Sequence, residues 1–287
     1  DSRATITYSP SFGYELVCRR AQAKPPEDLE LSCLELAGIG ADMIRPDVLR
    51  RFAETFAAQG FDGRAFMPSY GMAEVCVGLS FTRRRAGFRT AEFEGREFVS
   101  CGHVMDRHEV QIRGESGLPL ADRRIGRIHA RGPSVMPGYY LDTEATRQVL
   151  DHGWLDTGDL GFTVGDELVV TGRAKDLIIV NGRNIWPQDI EWAVEDLPRL
   201  RRGDACAFSV DDGNGDQAVV LVQAYPAAPE EHEALTGTVR QTVRETAGIE
   251  CRVVLVSRSV GFPMTSSGKL SRTKAKARYL SGEFAPR

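Results

Sequence analysis

The chain has 287 residues, 42% hydrophobic and 26% charged, enough for one large or two modest globular domains. A net charge of −4 argues against general nucleic-acid binding, which needs a basic footprint to displace phosphate counterions. The six cysteines, Cys18, Cys33, Cys76, Cys101, Cys206 and Cys251, are scattered without a C-x-x-C pair, a usage that points to reduced thiols in the cytoplasm, and no apolar run approaches the roughly 18 residues that span a bilayer.

The first residue is Asp1, not Met, and the chain reads as a piece of something longer. From Pro46, "RPDVLRRFAETFAAQGF" carries Val48, Leu49, Phe52 and Phe56 at helical spacing, with Pro46 in the first turn and Gly60 as the stop, so one amphipathic helix is expected. From about Glu97 to Thr171, short runs such as "HEVQIRG", "GRIHARG" and "DELVVTG" are punctuated by Gly, Pro and Asp, which predicts small antiparallel strands. Beyond Arg173, "DLIIVNG", a helical "PQDIEWAVEDL", "ACAFSV", "AVVLVQAY", a helix near 230–247 and "CRVVLVS" alternate as strands and helices do in a compact α/β unit of about 110 residues.

Several segments carry candidate chemistry. "PSYGMAE" (68–74) sets Tyr70 and Glu74 about Gly71: Tyr70 is either a ring stacked on a planar base or core packing at a helix start, and Glu74 offers the oxygen that Mg²⁺ prefers. "GWLDTGDLG" (153–161) places Asp156 and Asp159 in a glycine-bounded turn, where a carboxylate accepts ribose hydroxyls or simply makes an Asx-turn between strands. "DDGNGD" (211–216) departs from a calcium loop at Gln217 and Gln223 and reads as a hairpin turn. "FPMTSSGKLSRTK" (262–274) fails the Walker spacing, because Leu270 follows Lys269, and is compatible with a turn leading into a basic helix. The histidines stand apart and no G-x-S-x-G occurs, so nothing supports a hydrolase triad.

Four segments in one order, "AGIGADMIRP", "PSYGMAE", "GWLDTGDLGF" through "VVTGRAKDLIIVNGRNIWPQDIE", and "PMTSSGKLSR", resemble the adenylate-forming superfamily of acyl-CoA synthetases, luciferases and peptide-synthetase adenylation domains. "SYGMAE", "FVSCG", "GRNIWPQDIE" and "SSGKLSR" look most like the fatty acyl-AMP ligases. The resemblance covers essentially the whole chain. It implies a mixed α/β (α+β) fold: residues 1–172 as the C-terminal part of the large AMP-binding domain, with a β-rich subdomain at about 97–171, then a mobile α/β lid domain at 173–287.

By the same resemblance, Gly40, Ala41 and Asp42 would flank adenine, Tyr70 and Gly71 would contact it, and Glu74 would bind Mg²⁺. Asp159 and Arg173 would hold the ribose, Lys175 would be the hinge, and Lys269 would reach the acyl carboxylate and the α-phosphate. "ITYSPSFGYELVCRR" would line an acyl tunnel. The implied reaction is activation of a fatty acid with ATP and Mg²⁺ to acyl-AMP and pyrophosphate, with transfer to the phosphopantetheine of an acyl carrier protein or to coenzyme A.

Some positions depart from the family pattern. Met43 stands where relatives carry proline and Ala73 where most carry threonine, and only 24 residues separate Glu74 from Val99, where fatty acyl-AMP ligases have an insertion. The family's Ser/Thr/Gly-rich loop for the β- and γ-phosphates would lie upstream of Asp1, so this chain alone is expected to be inactive. An acyl-CoA synthetase, an aryl acid–AMP ligase and a non-catalytic interaction module are the alternatives.

Overall fold

A computed structural model of the chain describes residues 3–26, 28–180, 182–211, 215–224, 228–265 and 270–284. The chain divides into units Asp1–Ala174 and Lys175–Arg287. Arg173, expected to open the second domain, is the last strand residue of the first unit, because its backbone pairs with Asp159.

The first unit begins with β1 (Ile6–Ser9), α1 (Ser11–Ala23), β2 (Leu36–Ile39), α2 (Pro46–Thr55) and β3 (Phe66–Tyr70). β1, β2 and β3 pair in parallel, so α1 and α2 serve as crossovers. α2 has Pro46 in its first turn and buries Val48, Leu49 and Phe52 on one face. It stops at Thr55, and a short 3₁₀ turn, Ala57–Gln59, carries the chain to Gly60, whose φ of 79° ends the segment. Phe52 is the hub of an aromatic core, with ring centroids 5.0 Å from Tyr14 and 4.9 Å from Phe61. Full burial of one such side chain contributes about 1.5–3 kcal/mol.

The sheet continues antiparallel through β4 (Ser80–Phe81), β6 (Arg96–Val104), β11 (Glu167–Arg173), β10 (Trp154–Val164), β8 (Gly126–Arg131) and β7 (Glu109–Arg113). β5 (Thr90–Phe93) pairs with β6, and β9 (Leu150–Asp151) with β10. A short helix, α3 (Thr143–Val149), interrupts this β-rich stretch, its N-terminus capped by the Asp142 carboxylate accepting from the Ala145 amide at 2.9 Å.

The "GWLDTGDLG" segment, expected as a turn, lies in the long strand β10. Its four steps from Asp156 to Leu160 face only two on β8, from His129 to Arg127, so Thr157, Gly158 and Asp159 form a bulge. Leu155 is buried before the bulge and Phe162 after it, which keeps both flanks paired.

The second unit has a hairpin, β12 (Ile178–Val180) and β13 (Arg183–Ile185), then α4 (Pro187–Glu195), β14 (Ala205–Asp211), β15 (Asp216–Gln223), α5 (Pro229–Ala247), β16 (Cys251–Val256) and α6 (Arg272–Leu280). β14 and β15 are antiparallel, with Asp211 opposite Asp216, and β16 runs parallel to β15. Ala205, Ala207, Val220 and Val222 pack with Ile190 and Val194 of α4 and Val239 and Val243 of α5. The alternate residues Cys206, Phe208 and Leu221 pack with Ala275 of α6. This strand periodicity buries both faces of the sheet. No helix among the described residues is long and apolar enough to cross a membrane.

Candidate nucleotide site

The site is built at the C-terminal end of β3. Tyr70 ends that strand, and the chain then turns so tightly that a Cβ on Gly71 would stand 2.0 Å from the carbonyl oxygen of Val77. Only glycine allows that approach. The Leu79 amide donates to the Tyr70 carbonyl at 2.8 Å and closes the loop.

The Tyr70 hydroxyl donates to Asp159 Oδ2 at 2.6 Å. Asp159 stands directly opposite Arg173 in the β10–β11 register, and its Oδ1 lies 3.4 Å from Arg173 Nε. Three strands thus bring Tyr70, Asp159 and Arg173 together. Burial, reinforced by the charge of Asp159, pushes the Tyr70 phenol well above its ordinary pKa, so it remains a proton donor. Asp159 is 8% exposed, whereas the Arg173 side chain is 59% exposed, which leaves the guanidinium open to an anionic or hydroxyl-bearing ligand.

The bulge aims Asp159. The Thr157 hydroxyl donates to the Ile128 carbonyl at 2.8 Å, the Gly158 amide donates to Asp156 Oδ1 at 2.9 Å, and the Asp159 amide donates to Thr157 Oγ1 at 3.2 Å. Gly158 has φ of 72°, a left-handed value that suits glycine. Asp156 takes another partner, Arg127, at 2.8 Å. Of the two aspartates in the motif, Asp159 is the one bonded to Tyr70.

Glu74 lies in the 3₁₀ turn Ala73–Val75 and accepts from the Tyr139 hydroxyl at 2.9 Å, while its carbonyl accepts from the Met136 amide at 2.7 Å. Burial and the neighbouring carboxylate raise the Tyr139 pKa, which keeps that phenol a donor. Among the described residues no group of three or more His, Cys, Asp or Glu side chains could hold a metal ion. One carboxylate nevertheless fits Mg²⁺, which takes one or two protein carboxylates and completes its shell with water and substrate phosphates.

The 40–42 turn follows β2 and abuts β3: a Cβ on Gly40 would stand 2.7 Å from the Ser69 carbonyl oxygen. Ala41 takes φ of 71°, a left-handed conformation that costs a non-glycine residue about 1–2 kcal/mol. Asp42 Oδ1 accepts from the amide of Ser11 at 3.4 Å, which sets a negative charge at the N-terminus of α1. Lys175, the first residue of the second unit, is exposed in the 3₁₀ turn Ala174–Asp176. Lys269 lies outside the described residues.

Sequence reasoning missed Tyr139, Thr157 and Arg127. The Pro-Gly-Tyr-Tyr run at 137–140 was the available signal for Tyr139, whereas the other two owe their contacts to strand register.

Residues 1–140 match the family model described as AMP-binding enzyme. A Caulobacter vibrioides relative provisionally named an acyl-CoA synthetase is 45% identical over 99% of this chain and 53% of its own length. A medium-chain-fatty-acid–acyl-carrier-protein ligase of Moorena producens is 31% identical over 98% of this chain and 53% of its own. A structure from a study of fatty acyl-adenylate ligases of E. coli and L. pneumophila superposes with a TM-score of 0.89 at 38% identity, covering 99% of this chain and 54% of that one. The chain spans about half the length of the curated relatives it matches. Over residues 1–140 the chain matches the AMP-binding enzyme family, and over nearly its whole length it is similar to fatty acyl-AMP ligases and acyl-CoA synthetases.

Proposed function

We propose that this chain is the C-terminal half of a ligase that converts a fatty acid and ATP into acyl-AMP and pyrophosphate. The observation that carries the reading is the Tyr70–Asp159–Arg173 constellation: a ring, a buried carboxylate and an exposed guanidinium joined across three strands. Asp159 accepts ribose hydroxyls, Arg173 donates to the same sugar, and Tyr70 sets its ring against adenine beside Gly71. The Gly40–Ala41–Asp42 turn flanks the base. Glu74 holds Mg²⁺, which neutralises charge on the phosphates when bound.

In the reaction a carboxylate oxygen of the fatty acid forms a bond to the α-phosphorus while the bond from that phosphorus to the pyrophosphate oxygen breaks. The bonding pair leaves with pyrophosphate. Lys269 supplies a point charge to the carboxylate and the α-phosphate as negative charge redistributes. A thiol sulfur then forms a bond to the acyl carbon while the bond from that carbon to the AMP phosphate oxygen breaks, AMP leaving with the bonding pair and the thiol proton passing to solvent.

Relatives from Moorena producens and Teredinibacter turnerae are named acyl-carrier-protein ligases, which supports a phosphopantetheine thiol as acceptor. The Caulobacter relative's name favours coenzyme A as the second reading. Supplying acyl-AMP to the intact protein with each acceptor separates them: thioester on the carrier protein alone supports the first, and acyl-CoA alone overturns it.

A further expectation concerns the junction. Lys175 is exposed in a 3₁₀ turn, and proline locks φ near about −65°. If the second unit reorients about Lys175 between the two steps, Lys175→Pro traps one orientation. One half-reaction then proceeds while the other falls; two normal half-reactions would place the pivot elsewhere.

A further inference from the structure

The second unit contains a partly buried charge cluster that the nucleotide site does not use. Arg272 begins α6, where the helix dipole disfavours a cation, so its placement there needs compensation. Two carboxylates provide it. Arg272 Nε donates to Glu191 Oε1 at 2.9 Å, a second guanidinium nitrogen reaches Glu191 Oε2, and a third lies 3.3 Å from Asp176 Oδ2. The side chains of Arg272, Glu191 and Asp176 are 24%, 6% and 17% exposed. Glu191 Oε1 also accepts the Ala207 amide at 2.9 Å, so one carboxylate fixes α4 to β14 and Arg272 to both.

The partners come from functionally different places. Asp176 follows Lys175 at the start of the unit, and Arg272 lies three residues beyond Lys269 in sequence. Among the described residues that flank 266–269, Met264 bridges Leu270, and the Ser271 amide donates to the Pro263 carbonyl at 2.9 Å. The guanidinium therefore ties the first residue of α6 to Glu191 through a planar fork and to Asp176, beside the junction, through its third nitrogen, an arrangement that a lysine ammonium cannot reproduce.

Resting on the function proposed above, we infer that Arg272, held by Glu191 and Asp176, is a positioning residue for Lys269 in adenylation. It touches no substrate. It sets where the lysine segment starts relative to Lys175, so that an orientation of the unit delivers the ammonium to a defined place.

The test is a double-mutant cycle in the intact ligase, with Arg272→Lys and Asp176→Asn each made alone and with Lys269→Ala. Asp176→Asn removes one arm and leaves the Glu191 fork, so it keeps the test open where Arg272→Lys fails to fold. Thermal unfolding of each variant reports that directly. Each substitution alone lowers kcat for acyl-AMP formation by about tenfold, the scale of a small misplacement, with KM for ATP and transfer from supplied acyl-AMP changed by less than about twofold. In the Lys269→Ala background neither costs anything more, because a residue acting through Lys269 has nothing left to position. The same loss in both backgrounds, loss in both half-reactions, or full activity of both single variants overturns the inference. Undiminished adenylation by Lys269→Ala itself removes the lysine's role and this inference with it. A Lys269→Ala defect beside fully active Asp176→Asn and Arg272→Lys overturns the inference alone.

Discussion

Lys269→Ala in the intact ligase lowers acyl-AMP formation by about 10²-fold or more, the scale for removing one preorganised charge from a developing anionic centre. The carboxylate and the α-phosphate repel each other as they approach, and a cation between them relieves that repulsion only during adenylation. Thioester formation from supplied acyl-AMP has no such encounter and retains most of its rate. Measuring both half-reactions on one preparation distinguishes this role from a general one: equal losses would assign Lys269 to folding or to binding. The lysine follows "SSG" and precedes the α6 cap Ser271, whose side chain accepts from the Lys274 amide at 3.4 Å.

Asp159→Ala raises the apparent constant for ATP by about tenfold to 10²-fold, because loss of a charged hydrogen-bonding partner costs about 1.5–3 kcal/mol. The constant for the fatty acid stays nearly unchanged. The substitution removes the acceptor of the Tyr70 hydroxyl and the carboxylate beside Arg173, so the site loses its alignment together with the proposed ribose acceptor. Tyr70→Phe separates the two effects: it keeps the ring and deletes only the donor, and its smaller rise in the ATP constant measures the alignment. An unaltered ATP constant in Asp159→Ala removes that residue from the nucleotide site.

Much of this architecture was legible because hydrophobic spacing and backbone chemistry agreed along the chain. Pro46 with Val48, Leu49 and Phe52 specified α2, and the apolar runs "ACAFSV" and "AVVLVQ" marked strands, which the structure buries on both faces. What failed was local reading where tertiary pairing dominates. The glycine and aspartates of "LDTGDLG" carry turn chemistry, yet the pairing of β10 with β8 and β11 keeps them inside one strand and turns the segment into a bulge. The "DTEATRQV" stretch had a helix cap in Asp142, but the surrounding β-rich texture hid it. At the candidate site, sequence motifs singled out Tyr70, Glu74, Asp159 and Arg173 by type and order, and the structure brings Tyr70, Asp159 and Arg173 together. The bond from Tyr70 to Asp159 joins residues far apart in the chain, and the pairing of Asp156 with Arg127 follows from the register of β8 against β10.

The most direct measurement is exchange of labelled pyrophosphate into ATP by the intact protein, with Mg²⁺, across a panel of acids. A reversible attack on the α-phosphorus predicts exchange that depends on a fatty acid and disappears when the acid is withheld. Exchange with no acid in the panel, or fatty-acid-dependent cleavage of ATP to ADP and phosphate, contradicts acyl-AMP formation, because neither passes through a bond between the acid and the α-phosphorus.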